Sequence, residues 1–242
     1  MPTAELTMSR QRHRTSCPTR PAKATTIGRA VGVAALLLAL DAPLATAASS
    51  DTYRNYADLA GHETEGVDYL RTVHRGTTGV AHIAIHGGKI EAGTTELARE
   101  SAAGKNDSFY SFQGIKPTGN SALHITATHF DEPKALQLVK ASHHTVSWHG
   151  MAGDAPATYV GGKDKQLRDR IRTQLRAAGF NAPDKLPPKL EGVDPANITN
   201  RNGRGMGVQL EITRAQRDAL MTNGKPNAAF RAYTAAVEKS LP

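Results

Sequence analysis

Beyond its first 47 residues this chain contains no cysteine. The one thiol among its 242 residues is Cys17, in a segment read below as a leader. The remainder therefore has no disulfide framework, no thiolate metal ligand and no cysteine nucleophile. Any metal would have to be held by His, Asp or Glu. A membrane-spanning run is missing too. The apolar stretch Ala30 to Leu40 (AVGVAALLLAL) is stopped by Asp41, short of the about 20 apolar residues that a spanning helix needs. There is no internal repeat and no low-complexity tract. A chain of 242 residues suits one sizeable α/β domain and is short for two.

What the first segment does have is a targeting pattern. Arg10, Arg12, Arg14, Arg20, Lys23 and Arg29 precede the apolar stretch, and Ala45-Thr46-Ala47 follows it as an A-x-A cleavage signal. That order predicts a secretory signal peptide over 1–47 and a secreted domain over 48–242, with no membrane attachment after cleavage. The lack of an Arg-Arg pair favours the general secretory route over the twin-arginine one. The leader also explains much of the basic character. The chain carries 30 Lys and Arg against 22 Asp and Glu, a formal charge of +8. Taking away the leader's six bases and its two acids, Glu5 and Asp41, leaves 24 against 20. That excess is too mild to predict a nucleic-acid partner.

Strand-like and helix-like stretches alternate along the rest. TYRNYADLAG reads as a short helix and DYLRTVHRG as a strand. Val80 to His86 (VAHIAIH) is apolar on both faces, as a buried parallel strand is. Gly87-Gly88 turns the chain, and Thr94 or Thr95 is expected to cap a helix that runs to about Ala103. Leu123 to Thr128 (LHITAT) reads as a strand, Glu132 to Ala141 as a helix with proline in its first turn, and Thr145 to His149 as a strand. Asp164 to Ala178 is the clearest helix, with Leu167, Ile171 and Leu175 spaced by four and Gly179 after it. Val208 to Ile212 is a late strand, followed by a helix capped by Thr213 and a last helix over about Ala228 to Ser240. Pro183 to Pro195 reads as a proline-rich surface loop. The pattern predicts a three-layer α/β/α domain with a mostly parallel mixed sheet. In such sheets ligands bind beyond the carboxyl ends of the strands.

Two histidines stand at those ends. His86 closes VAHIAIH and His149 closes TVSWH, while Glu91 follows the glycine turn after His86. Two imidazoles and a carboxylate are the protein ligands of many catalytic zinc sites. The bland alternative is a strand-end histidine bonded to backbone, with Glu91 in water. Glu211, inside the apolar run VQLEI, needs a partner or a purpose. It could act as a general base, or pair with Arg201 or Arg214. Arg201, in the glycine-rich loop RNGRGMG, could hold a substrate carboxylate bidentately or stand in solvent. His82 could orient His86 or be a satisfied core histidine. His124, His129, His143 and His144 are further candidates to line a site. Asn197 and Asn200 could shape the glycine-rich loop RNGRGMG.

Taken in order, the runs DTYRNYADLAGHETEGVDY, IAIHGGKIEAGTTELA, YSFQGIK, LHITATHFDEP, SWHG, YVGGKD and NITNRNGRGMGVQLEITR resemble the zinc-dependent poly-γ-glutamate hydrolase family of phages and related bacterial proteins. The resemblance covers most of the chain after the leader. It implies a carboxypeptidase-like fold and one Zn2+ held by His86 of IHGG, Glu91 of IEAGT and His149 of the HG turn. It also implies Glu211 of QLEI as the catalytic residue and Arg201 as a substrate-carboxylate contact. The chain departs from the family pattern at Met151, where a cysteine is common.

The reading that follows is a secreted, monomeric zinc hydrolase of γ-glutamyl amide bonds, acting on an anionic polymer or acidic peptide. One rival keeps the site and changes the substrate to that of a carboxypeptidase or N-acyl-amino-acid deacylase. A rival from another class is a non-catalytic binder of an anionic polymer through the basic residues Arg168 to Arg176.

Overall fold

The computed structural model describes residues 51–242; the expected leader and its cleavage site lie outside them. Six strands form one mixed sheet: β1 (Tyr69–His74), β2 (Val80–Gly88), β3 (Ser108–Gly114), β4 (His144–Met151), β5 (Thr158–Gly161) and β6 (Val208–Thr213). Their order is β1-β3-β2-β4-β6-β5. The four central strands run parallel, and each edge strand is antiparallel to its neighbour. The helices are α1 (Tyr56–Ala60), α2 (Thr94–Ala103), α3 (Pro133–Lys140), α4 (Lys165–Ala177), α5 (Arg214–Ala219) and α6 (Ala228–Ser240).

Side chains alternate across the strands, so the sheet feeds a core on each face. On one face Ala84, Trp148 and Leu210 pack with Leu97 of α2, Ile171 of α4 and Val237 of α6. On the other, Ile83, Ile85 and Phe112 pack with Leu59 of α1 and Leu138 of α3. This is the three-layer α/β/α arrangement that the alternation predicts. In α4 the expected stripe of Leu167, Ile171 and Leu175 is fully buried, which contributes about 1.5–3 kcal/mol for each side chain. Asp164 caps α4 by accepting from Leu167 N, Glu132 caps α3, with Pro133 in its first turn, and Thr213 caps α5. Among the described residues no helix is long and apolar enough to cross a membrane.

Three local expectations are corrected. LHITAT is not a strand: Asn120–Leu123 form a 3-10 turn, and 124–128 pair with no strand. Leu123 and Ile125 are nevertheless buried, so their alternation reports packing rather than pairing. Within this sheet the pattern misses β3 (SFYSFQG), whose serines and glutamine dilute its apolar signal, and the four-residue β5; it also misses a small hairpin of Met221–Thr222 with Lys225–Pro226. The cap of α2 is Gly93, with a φ of 96°. Thr94 Oγ1 instead donates to Glu91 O, and Thr95 Oγ1 accepts from Gly88 N. Both threonines thus hold the turn that carries Glu91.

Candidate metal centre

His86 reaches the site through an irregularity in its strand. Val80 and Ala84 of β2 face one core, while Ala81, Ile83 and Ile85 face the other. Strict alternation would send His86 to the side of Ala84. On β4 and β6, however, Val146, Trp148, Leu210 and Ile212 occupy that side, which puts His149 and Glu211 on the opposite one. The pairing of β2 with β3 shifts register between Ala84 and Gly87, and this bulge re-aims His86. Gly87 and Gly88 are not the turn itself but the last residues of β2, still paired with Gln113 and Gly114 of β3, and the chain turns back at Lys89 and Ile90. A Cβ on Gly87 would lie 2.1 Å from Thr95 Oγ1, and Gly88 has a φ of +63° with Gly114 O 2.5 Å from where its Cβ would be. Glu91 N closes the turn on His86 O at 2.8 Å.

The result is a cluster of donor atoms at the carboxyl ends of β2 and β4. His86 Nδ1 lies 3.1 Å from Glu91 Oε1 and 3.2 Å from His149 Nδ1. His149 Nδ1 lies 3.8 Å from Glu91 Oε2. The other nitrogen of each ring is occupied. His86 Nε2 lies 2.8 Å from Ile125 O, which can only accept, so Nε2 carries the proton and Nδ1 presents a lone pair when the ring is neutral. His149 Nε2 is 2.9 Å from Ser147 Oγ. Gly150 N donates to Glu91 Oε2 at 2.8 Å. A tetrahedral metal with ligand bonds of about 2.1 Å has ligand–ligand edges of about 3.4 Å, so the three distances fit a shared cation. The outer hydrogen bonds supply the orientation that such ligands need.

Electrostatics agree with that donor set. Burial is the largest effect at His86 and disfavours an imidazolium, but the charge and hydrogen bond of Glu91, the Ile125 carbonyl and the charge of Asp51 together outweigh it and raise the pKa of His86. Burial, the largest effect, would raise Glu91, yet the charge and hydrogen bond of His86, with His149 and the Gly150 N–H, together bring it down to about 2. At His149 burial wins over Glu91, and the pKa falls to about 3, leaving a neutral ring.

Glu211 is paired with His149 in the register between β4 and β6. Its Oε1 accepts from Gln209 Nε2 at 3.0 Å, and Asn197 Nδ2 fixes that amide by donating to Gln209 Oε1 at 2.8 Å. Burial, then the nearby charge of Glu91, push Glu211 well above the ordinary carboxylate range. Arg214 does not neutralise it, being engaged with Asp218 at 2.8 Å. A cleft of about 470 Å³ opens over these groups, lined by His86, Glu91, His149, Gln209 and Glu211 on its floor side and by Lys189, Glu191 and Asp194 of the proline-rich loop.

The remaining candidates separate. His82 does not touch His86: it meets Asp107 and the Trp148 indole in the interior. His124 lines the cleft and stacks on His86 at 3.9 Å between ring centres, held by Asp51. His129 is exposed near Asp51. His143 and His144 stand at the opposite end of β4, where both backbone amides donate to Gly79 O. Arg201 is half-buried beside the 3-10 turn Ile198–Asn200 and is absent from the cleft lining, where Lys189 is the one Lys or Arg among the described residues. Asn200 ties the glycine-rich loop to the proline-rich one: its Oδ1 accepts from Gly207 N at 3.1 Å, and its Nδ2 donates to the carbonyls of Gly192 and Asp194. Asn197 caps the 3-10 turn, its side chain accepting from Thr199 N. Sequence reasoning missed Gln209, Ser147, Asp51 and the Ile125 carbonyl. The signal available for Gln209 was its position two residues before Glu211, on the same strand face.

A family model for poly-gamma-glutamate hydrolase matches residues 53–239. The chain is 38% identical over 202 residues to the SPbeta prophage-derived UPF0714 protein YoqZ of Bacillus subtilis (strain 168), covering 80% of this chain and 72% of that one. It is 37% identical over 179 residues to UPF0714 protein YndL of the same strain, covering 74% and 70%. Among solved structures it is similar to a bacteriophage poly-gamma-glutamate hydrolase, with a TM-score of 0.76, 38% identity and coverage of 79% and 96%. It is also similar to a zinc-free apo structure of YndL, with a TM-score of 0.74, 35% identity and coverage of 79% and 98%.

Proposed function

Because this chain belongs to the poly-γ-glutamate hydrolase family, we propose that it is a secreted, monomeric, zinc-dependent hydrolase of γ-glutamyl amide bonds, with poly-γ-glutamate as its substrate. The observation that carries the reading is the convergence of His86 Nδ1, His149 Nδ1 and the Glu91 carboxylate beside Glu211, on the floor of an open cleft. The zinc-free description of the YndL structure supports zinc as the metal. His86, Glu91 and His149 would hold it, and it would supply polarisation of the scissile carbonyl and acidification of water.

Glu211 is the base in this reading. Gln209 occupies Oε1, so Oε2 is the oxygen left to take a proton from the attacking water and deliver it to the leaving nitrogen. A cation held by those ligands would oppose the two effects that raise its pKa and favour the ionised form that a base requires. His124, bonded to Asp51, borders the place where the substrate would lie. Lys189 on the cleft wall and Arg201 beyond it are the groups we assign to carboxylates along the polymer. Export through the leader suits a substrate too large to enter a cell. The binder reading has less support, since Arg172 and Arg176 of α4 pair with Asp169 and Asp184.

The test is incubation of the processed protein with poly-γ-glutamate, with and without a chelator, following polymer length. Shortening that the chelator abolishes and zinc restores is expected. A zinc-loaded sample that leaves the polymer intact but cleaves small γ-glutamyl or N-acyl-amino-acid amides would replace the polymer with a small acidic substrate.

A further inference from the structure

Arg217 lies on α5, is 7% exposed, and does not line the cleft. A guanidinium that far from solvent ordinarily sits against a carboxylate. Here its partners are three backbone carbonyls: Nη1 donates to Ala92 O at 2.5 Å, Nε to Ile212 O at 3.1 Å and Nη2 to Met151 O at 3.2 Å. The three come from separate parts of the chain with one thing in common. Ala92 follows Glu91, Met151 stands two residues after His149, and Ile212 follows Glu211. The guanidinium also lies against Gly150 near the end of β4. A Cβ on Gly150 would come within 2.6 Å of Arg217 Cζ, and Gly150 N is the donor to Glu91 Oε2.

We infer that Arg217 is a positioning residue, whose planar fork ties the Glu91 turn, the end of the His149 strand and the Glu211 strand into one fixed arrangement. The inference rests on the reading of those residues as metal ligands and base. Few other side chains could do this. Lysine offers one point charge in place of three directed N–H groups in a plane, and the three carbonyls diverge from a single centre. Loss of outer support of this kind commonly costs 10–100-fold in metal affinity or activity, and displacement by about 1 Å at the reacting groups can cost about 10²-fold in rate.

The experiment compares the purified protein with Arg217→Lys and Arg217→Gln. Arg214→Ala serves as a control, because Arg214 is an exposed arginine of the same helix paired with Asp218. Three quantities are read: zinc affinity by competition with a chromophoric chelator, kcat and KM on poly-γ-glutamate at saturating zinc, and thermal unfolding. In Arg217→Lys we expect zinc affinity to fall about 10–100-fold and kcat to fall by a similar factor, with KM within about twofold. Added guanidinium should restore part of kcat in Arg217→Gln, and Arg214→Ala should match the parent. A lowered melting temperature with parental zinc affinity and kcat per folded molecule would reduce Arg217 to a structural residue and overturn the inference alone. Parent protein that takes up no zinc would overturn the site reading and this inference with it.

Discussion

His82 and His86 stand four residues apart on β2, both buried and each beside a carboxylate, yet they form two different kinds of structure. His82 Nε2 meets Asp107 Oδ2 at 3.2 Å, and its Nδ1 accepts from the Trp148 indole at 3.2 Å. The other oxygen of Asp107 accepts from the Thr78 hydroxyl. Each donor there has an acceptor. His86 spends its Nε2 proton on Ile125 O and turns Nδ1 towards Glu91 and the Nδ1 of His149. There the lone pairs outnumber the donors. Burial and a neighbouring acid are common to both pairs, so they do not define a site; the surplus of acceptors does.

The sharpest way to test that contrast is at the His86 end. Glu211→Gln should keep the zinc content of the parent and lower kcat by about 10²–10⁴-fold, because only the proton acceptor is removed. Metal analysis and a single-turnover assay on the same sample check both halves; loss of zinc, or full activity, would remove Glu211 from the role of base. His149→Ala comes next. It should abolish the rise in melting temperature that excess zinc is expected to give the parent, since a ligand that binds only the folded state stabilises it in proportion to ln(1 + [L]/Kd). An unchanged zinc response would move the third ligand to His124, which stacks on His86.

His82→Ala tests the other pair. It strands the Trp148 N–H and a carboxylate oxygen in the core and leaves a cavity, so it should cost about 3 kcal/mol of stability. Zinc per folded molecule should stay at the parental level, measured by denaturant unfolding beside metal analysis. If His82→Ala lost zinc in the folded state, the two pairs would be one coupled unit. The smallest effect is expected outside the cleft: Arg201→Ala should raise KM for the polymer roughly threefold at low salt and less at high salt, where surface charges are screened. Lys189→Ala, on the cleft wall, should do more. The reverse order would put Arg201 closer to the cut bond than its position suggests.

Much of this could be read in the sequence because it follows from local periodicity. VAHIAIH is apolar on both faces wherever it goes, so a buried central strand was predictable, as was α4 from its spacing of four. The glycines after His86 announced a turn that folds back. Other parts resisted for physical reasons. β3 hides behind Ser108, Ser111 and Gln113, whose polar groups find partners only once the chain is folded: Thr95 Oγ1 meets Ser111 and the Thr72 hydroxyl meets Gln113. LHITAT alternates as a strand does but is held away from the sheet, which leaves the Ile125 carbonyl available to His86.

By itself the sequence determined the layered α/β class, the strand-end placing of His86 and His149, the turn that brings Glu91 back and the membership of a hydrolase family. All of these depend on neighbours within a few residues or on ordered motifs. Only the tertiary structure decided that His86 faces His149, since alternation would have sent it the other way and a register shift against β3 reversed it. Only the fold, too, separated His82 from His86, set Gln209 against Glu211 and brought Ala92, Met151 and Ile212 onto Arg217. Those relations join residues up to 125 positions apart, and no periodicity carries information over that distance.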